Sequence, residues 1–293
     1  MTLNGVSCGT LDVDHFANSP WDVHWGGSAL IGGGGVKHVF DLLTHPFVIM
    51  VMSTQIPVWA ATQKGAAMSA ITYTHLYVLL DRSGSMSSIA NDVIGGYNTF
   101  IREQKKVGSD VRVTLVQFDS QDRQEIIAAG VPIDELVELT AETFIPRGGT
   151  PLLDATGLLI ARARTRQEMR TQNSLPAEDI VFVTVTDGEE NESSEYTLPQ
   201  IKKLIEKCEA DGWTFVFLSA AIDAYGDASR MGMKGGNIQA FSASAHGADL
   251  AFSSLSANVS KLRKEKTAGT WKQDADFFEQ KIAEAERRKK DEN

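Results

Sequence analysis

Residues 75–85 of the chain read HLYVLLDRSGS. The apolar run at 75–80 is typical of a strand that is buried on both faces of a parallel sheet, and it stops at Asp81. Oxygen-bearing side chains then follow at alternate positions, Asp81, Ser83 and Ser85, and Gly84 lets the backbone turn closely between the two serines. Short oxygen side chains on a turn suit a hard cation such as Mg2+, which prefers near-octahedral oxygen ligation.

Downstream of this run, apolar stretches of strand length alternate with stretches of helical periodicity. Further strands are predicted at residues 111–118, 125–129, 180–185, 214–219 and 238–241. Helices are predicted to begin near residues 89, 150, 197, 224 and 248. Because strands that alternate with helices imply right-handed crossovers, the sequence predicts an α/β fold with a doubly wound, mostly parallel, Rossmann-like sheet flanked by helices.

Two further loops carry oxygen side chains. RGGTP at 147–151 places Thr150 on a glycine loop at a helix start, and TDG at 186–188 places Asp187 at the end of another predicted strand. In open α/β sheets, ligands bind beyond the carboxyl ends of the strands. We therefore expect these loops to meet the first one at the same end of the sheet.

Most of these residues also have a structural interpretation when taken alone. Ser83 and Ser85 fit capping of a helix that begins near Met86. Thr150 fits the N-cap of the next helix, and Asp187 before a glycine fits a simple turn. Asp81, whose carboxylate ends the first buried strand, is harder to explain as a purely structural residue, because a buried carboxylate needs a hydrogen-bonding partner or water. Taken together, the residues favour a metal site.

The combination resembles the von Willebrand factor A domain and its metal-ion-dependent adhesion site, over about residues 72–265. The resemblance implies the following ligands for one Mg2+ or Mn2+ ion, in chain order: Asp81, Ser83, Ser85, Thr150 and Asp187. The GGTPL form at 148–152 is most similar to free-standing bacterial and phage members, including those associated with tellurite resistance.

The resemblance also implies metal-dependent protein binding, in which a Glu or Asp of a partner protein completes the coordination of the ion. Arg82 and Arg147 are expected to flank the mouth of the site, where they would steer or clamp that carboxylate, although exposed arginines on loops are more often simply solvated. An acidic run follows Asp187 and consists of Glu189, Glu190, Glu192 and Glu195. The run is more typical of a solvated loop than of a second metal site, and it favours a partner whose acidic residue is surrounded by Lys or Arg.

Two other functions are alternatives. A metal-assisted hydrolase or phosphoryl-transfer enzyme would need a general base, but His75 enters the first strand, His246 opens the last helix, and no Walker-type loop is present. We therefore expect that the chain is not an enzyme. The other alternative is an adaptor to an AAA-type ATPase, as several bacterial relatives in the resembled family are.

The net charge and the cysteine content limit the classes of binding partner and the cellular compartment that we expect for the chain. The formal net charge of -10 argues against nucleic acid and anionic membranes as partners. The distant pair Cys8 and Cys208 gives no reason to expect a disulfide, which favours a reducing, cytoplasmic location. The most apolar stretch, at 47–61, is too short to span a membrane, and its flanks are unlike those of a secretory signal.

A change of composition divides the chain. The first 67 residues contain no Arg and no Glu, but four of the six His and three of the five Trp. We expect a poorly structured N-terminal extension at 1–71, the main domain at 72–265, and a charged tail or helix at 266–293. The extension is either an upstream translation before a natural start at Met68 or an appendage that docks through Trp21, Trp25 and Trp59.

Overall fold

The computed structural model of the chain describes residues 73–273 and 275–278. The expectations for residues 1–71, among them the three docking tryptophans and Cys8, lie outside the described residues. In order along the described chain, the elements are β1 (Thr74–Asp81), α1 (Ala90–Val107), β2 (Val111–Phe118), β3 (Glu125–Pro132), α2 (Leu152–Gln172), β4 (Asp179–Thr186), α3 (Leu198–Ala210), β5 (Thr214–Ser219), α4 (Ala224–Arg230), β6 (Ile238–Ala240) and α5 (Ala245–Thr267).

The six strands form one sheet in the order β3-β2-β1-β4-β5-β6. All neighbouring pairs are parallel except β2 and β3, which are antiparallel. This arrangement confirms the predicted α/β fold with a mostly parallel sheet. The strand order reverses between β1 and β4, which are neighbours in the sheet although β2 and β3 lie between them in the chain. Such a reversal is where ligands bind in sheets of this kind.

Both faces of the sheet are covered by helices. All eight residues of β1 are buried, as its apolar sequence predicts. Leu76 and Val78 pack in the core that includes residues of α1 and α5, whereas Tyr77 and Leu79 pack in the core that includes residues of α2 and α3. This alternation follows from the two-residue period of a strand. The burial of β1 fixes where its carboxyl end lies.

The packed part of the chain extends beyond the boundary expected at residue 265. Helix α5 ends at Thr267, and the side chains of Phe277 and Phe278 are then buried in the core. The Phe278 amide donates to the carbonyl of Gly236 at 2.8 Å, and the Phe277 amide donates to Oδ1 of Asn237 at 3.2 Å. The phenylalanine pair therefore packs on the domain within the segment expected to be a charged tail or helix, whereas residues 279–293 of that segment lie outside the described residues.

Two further observations concern membranes and thiols. Among the helices of the described residues, none is long and apolar enough to cross a membrane. Cys208 is a buried free thiol on α3, and burial raises its pKa to about 11.

Candidate metal centre

The central strands β1 and β4 position two carboxylates at their carboxyl ends. Asp81 is the last residue of β1 and is fully buried, while Asp187 directly follows β4 and is half-buried. The hydroxyl of Thr186 donates to Oδ2 of Asp81 at 2.5 Å, and the amide of Ser83 donates to Oδ1 at 2.7 Å. These bonds, one from the end of β4 and one from the loop after β1 itself, fix the orientation of the Asp81 carboxylate.

The two serines after β1 connect the carboxylates. Their hydroxyl oxygens are 3.1 Å apart, and the Ser85 hydroxyl donates to Oδ1 of Asp187 at 2.7 Å. A short 3-10 helix (Gly84–Ser88) follows Ser83, but the Ser83 side chain makes no capping hydrogen bond to it. Helix capping therefore does not explain Ser83, whose hydroxyl instead lies against that of Ser85.

Thr150 joins the same cluster from the loop before α2. It is 2% exposed, and a methyl group at Gly188 would lie 3.0 Å from its Oγ1 and 3.6 Å from Oγ of Ser85. The N-cap residue of α2 is Pro151 rather than Thr150. The structure thus brings together all five side chains that the sequence singled out.

The α2 amides are capped instead by the acidic loop after β4. Glu190 Oε2 accepts from the amide of Leu153 at 2.8 Å, and Oγ of Ser193 accepts from the amide of Asp154 at 3.1 Å. In return, the buried carboxylate of Asp154 accepts the amides of three residues of this loop: Ser194, Glu195 and Tyr196. Part of the acidic run is therefore structural, since it ties the loop of Asp187 to the start of α2.

The electrostatics of the cluster favour a cation. The pKa of Asp81 is raised to about 6, mainly by burial and also by the nearby charge of Asp187, although the hydrogen bonds from Thr186 and Ser83 lower it. Burial also raises the pKa of Asp187. Within the described part of the chain, neither carboxylate pairs with a basic side chain. Negative charge is thus concentrated here without a counter-charge from the described residues.

The donor set also fits a hard divalent ion. It consists of two carboxylates and three hydroxyls, which are oxygen donors of the kind that Mg2+ and Mn2+ prefer. Among the described residues there is no group of three or more His, Cys, Asp or Glu side chains arranged to hold a metal. A site at this end of the sheet therefore depends on its hydroxyl groups.

The two arginines expected at the mouth are held elsewhere. Arg82 is buried, and its Nε donates to Oδ2 of Asp119 at 2.6 Å. Nε of Arg147 donates to the same oxygen at 2.9 Å. Asp119 thus binds both guanidinium groups, while the Arg147 side chain is still 41% exposed. A contact of these arginines with a partner's carboxylate stays a prediction.

Sequence reasoning missed three residues that support the cluster: Thr186, Asp154 and Asp119. A signal was present for Asp119, which directly follows the buried strand β2 as Asp187 follows β4. No comparable pattern marks Thr186 or Asp154, whose roles depend on contacts between distant parts of the chain.

No protein-family model matches this sequence, and no curated protein matches it. Solved structures do resemble it. The pilus adhesin SpaC from Lactobacillus rhamnosus GG shares 14% identity, with a TM-score of 0.45 over 65% of this chain and 30% of that one. The manganese-loaded TRAP protein of Plasmodium vivax shares 14% identity, with a TM-score of 0.41 over 59% of this chain and 70% of that one.

A von Willebrand factor type A structure from Catenulispora acidiphila shares 13% identity, with a TM-score of 0.40 over 64% of this chain and 42% of that one. Structures of the family that the sequence resembles are therefore among the matches. The chain spans less than half the length of the SpaC and Catenulispora chains.

Proposed function

We propose that this chain is a metal-dependent protein-binding module. The proposed ligands of its Mg2+ or Mn2+ ion are Asp81, Ser83, Ser85, Thr150 and Asp187. One observation carries the proposal: two carboxylates at neighbouring strand ends, without a basic counter-charge among the described residues, meet two hydroxyl groups from the loop after β1 and a third from the loop before α2. Five independent structural roles explain this convergence less well than one cation does.

The number of side chains in the cluster points to an open position. A near-octahedral Mg2+ ion takes about six ligands, and it usually keeps several waters. The five side chains therefore leave at least one position for water or for a group from outside the chain. When bound, the divalent ion would supply residual positive charge at that position, which favours a carboxylate from a partner.

The surroundings of the cluster suggest the chemistry of the partner. Because Arg82 and Arg147 are held by Asp119, the ion itself is the main attraction for an acidic residue. Glu189 and Glu192 are exposed on the adjacent loop and favour a partner whose acidic residue is ringed by Lys or Arg. We also propose a cytoplasmic location and, as one candidate partner, an AAA-type ATPase on another chain.

A binding role is preferred to a catalytic one because of where the two described histidines, His75 and His246, lie. His75 is buried, and it precedes Asp81 by six residues along β1, which is about 20 Å in an extended strand. His246 lies in the first turn of α5 and makes no hydrogen bond with the five cluster residues. Neither of these two described histidines is therefore placed to act as the general base of a hydrolase that used this ion.

Calorimetry with the purified full chain tests the metal. We expect the wild-type protein to bind one Mg2+ or Mn2+ ion and Asp81→Ala to lose this binding. Asp134→Ala is the matched control, because Asp134 follows the antiparallel strand β3 and so lies at the opposite end of the sheet. Absence of Mg2+ and Mn2+ binding by the wild-type protein would remove the proposed function.

Affinity capture then tests the binding role. Proteins from the native host's lysate are captured on the wild-type chain in Mg2+, on the same chain in EDTA, and on Asp81→Ala in Mg2+. Partners lost in both of the last two conditions are expected. Partners retained equally in all three would mean that the metal centre is not the binding surface.

A further inference from the structure

Asp119 is a buried carboxylate that lies outside the proposed ligand set. Its Oδ2 accepts from Nε of Arg82 and from Nε of Arg147, at 2.6 and 2.9 Å. Its Oδ1 accepts from the amides of Gln121 and Asp122, at 2.6 and 3.0 Å. The chain itself therefore uses both oxygens, and Asp119 is held rigidly at the end of β2.

The two arginines that Asp119 binds belong to the two loops that carry the hydroxyl ligands. Arg82 lies between Asp81 and Ser83, and Arg147 lies three residues before Thr150. The amide of Arg147 also donates to the carbonyl of Arg82 at 2.7 Å. Asp119 thus bridges the side chains of two loops whose backbones are in direct contact. Half-exposed Glu125 also pairs with both arginines, with Arg147 at 3.8 Å, but Asp119 is the buried carboxylate of the two.

Backbone contacts extend this connection to the glycines beside the ligands. The amide of Gly84 donates to the carbonyl of Gly148 at 3.0 Å. Ser120 exchanges two bonds with Gly149: its amide donates to the Gly149 carbonyl at 3.1 Å, and its hydroxyl accepts from the Gly149 amide at 2.9 Å. Gly148 has a φ of 68°, a conformation that favours glycine where the loop passes Ser120.

From these contacts we infer that Asp119 is a positioning residue for the candidate metal centre. By binding Arg82 and Arg147, it holds the loop of Ser83 and Ser85 against the loop of Thr150, so that the three hydroxyls face one ion. The inference rests on the proposed function. Residues that orient metal ligands without touching the metal typically change its affinity by about 10–100-fold when they are replaced.

Two variants separate positioning from a simple effect of charge. Asp119→Asn removes a negative charge near the ion, whereas Arg147→Gln removes a positive one. A purely electrostatic role predicts that the first weakens Mn2+ binding and the second strengthens it. A positioning role predicts that both weaken it, because each breaks the same bridge between the loops.

The test measures free Mn2+ by electron paramagnetic resonance in titrations of the full-length protein. We expect Asp119→Asn to weaken Mn2+ binding by about 10–100-fold and Arg147→Gln to weaken it as well. Glu178→Gln is the matched control, since Glu178 is also a buried carboxylate that binds an arginine, Arg166, but it precedes β4 at the opposite end of the sheet. Its Mn2+ affinity should equal that of the wild-type protein.

Hydrogen–deuterium exchange without metal gives an independent measurement. Segments that contain the Gly84 and Gly149 amides should exchange faster in both variants than in the wild-type protein and in Glu178→Gln. If Asp119→Asn does not fold, Arg147→Gln carries the test, because the Arg147 side chain is 41% exposed.

The outcomes distinguish this inference from the proposed function. Stronger Mn2+ binding by Arg147→Gln, wild-type affinity in a folded Asp119→Asn, or unchanged exchange in both variants would overturn the positioning role alone. A wild-type protein that binds neither Mn2+ nor Mg2+ would overturn the proposed function, and the positioning role with it.

Discussion

The Ser85 hydroxyl donates to Oδ1 of Asp187 over 2.7 Å, although 102 positions separate the two residues in the chain. The bond forms because β1 and β4 are parallel neighbours in which Leu80 pairs with Val185. The loops that follow these strands therefore leave the sheet side by side. The strand order thus creates the site by bringing together residues that are distant in sequence.

Replacement of Ser85 should weaken metal binding. In Ser85→Ala the proposed ligand is lost, and we expect Mg2+ affinity to fall by roughly tenfold or more, since a bond to a charged group contributes about 1.5–3 kcal/mol. Ser87→Ala is the control, because the exposed Ser87 hydroxyl donates to the carbonyl of Gly84 instead. Calorimetry measures both variants, and equal affinities in the two would argue against Ser85 as a ligand.

The sequence predicted the parts of the site that follow from local pattern. Asp81 and Asp187 each end an apolar run, so the carboxyl ends of two buried strands and their acidic residues were visible in the sequence. Asp119 obeys the same rule after β2, although residues 119–122 also form a turn between β2 and β3. Its amide does close that turn by donating to the carbonyl of Asp122 at 3.0 Å, while its side chain serves the neighbouring loops.

Other contacts depend on packing that no local pattern specifies. Glu190 reaches the amide of Leu153 across 37 positions, and the sequence shows only a charged loop there. Phe277 and Phe278 lie in a highly charged segment whose apolar residues are sparse. Their burial depends on the surface beside Gly236 and Asn237, which exists only once the sheet has formed.

Glu190 should contribute to stability more than its neighbour does. It accepts from the Leu153 amide, and it also accepts from the amide and hydroxyl of Ser193, both at 2.7 Å. We expect Glu190→Ala to lower the free energy of unfolding by about 1–2 kcal/mol, as the loss of a helix cap does. Glu189 is exposed, and Glu189→Ala should change the free energy of unfolding by less than about 0.5 kcal/mol. Urea denaturation compares them, and equal losses would contradict the capping role.

Adjacent glycines on α1 should respond in opposite directions to alanine. A Cβ atom on Gly96 would overlap the ring of Phe252 on α5, whereas one on Gly95 would have no neighbour within 4 Å. We expect Gly96→Ala to cost about 1–3 kcal/mol through overpacking. Gly95→Ala should stabilise the protein by about 0.5–1 kcal/mol, because alanine favours a helix. Thermal denaturation of the two variants tests this, and stabilisation by both would show that α1 and α5 are not closely packed.

His75 lies at the opposite end of the sheet in a closed set of hydrogen bonds. The amide of Gly130 donates to Oγ1 of Thr114 at 2.9 Å, so that the Thr114 hydroxyl is free to donate to Nε2 of His75 at 2.8 Å. Nδ1 then carries the ring hydrogen and donates to Glu178 at 3.0 Å. The neutral His75 ring can thus form hydrogen bonds with both Thr114 and Glu178. Burial lowers the pKa of His75 more than the charge of Glu178 raises it.

We therefore expect His75 to destabilise the metal-free protein as the pH falls from 7 to 5. In the unfolded chain His75 takes up a proton near pH 6.5, whereas in the folded protein it does so only at lower pH, so that acid favours unfolding. Asp81 and Asp187, whose pKa values are raised, act in the opposite direction, and the lowered pKa of Glu178 matters mainly below its ordinary value of 4.5.

These other groups are also present in His75→Gln, so the difference in the free energy of unfolding between this variant and the wild-type protein isolates the histidine. Glutamine cannot take up the proton, and the variant should therefore be less stable than the wild-type protein at pH 7 but lose less stability on acidification. Urea denaturation in EDTA at pH 7, 6 and 5 measures both proteins. A difference that stays constant over this range would mean that His75 does not titrate on unfolding, and that its pKa is not lowered in the fold.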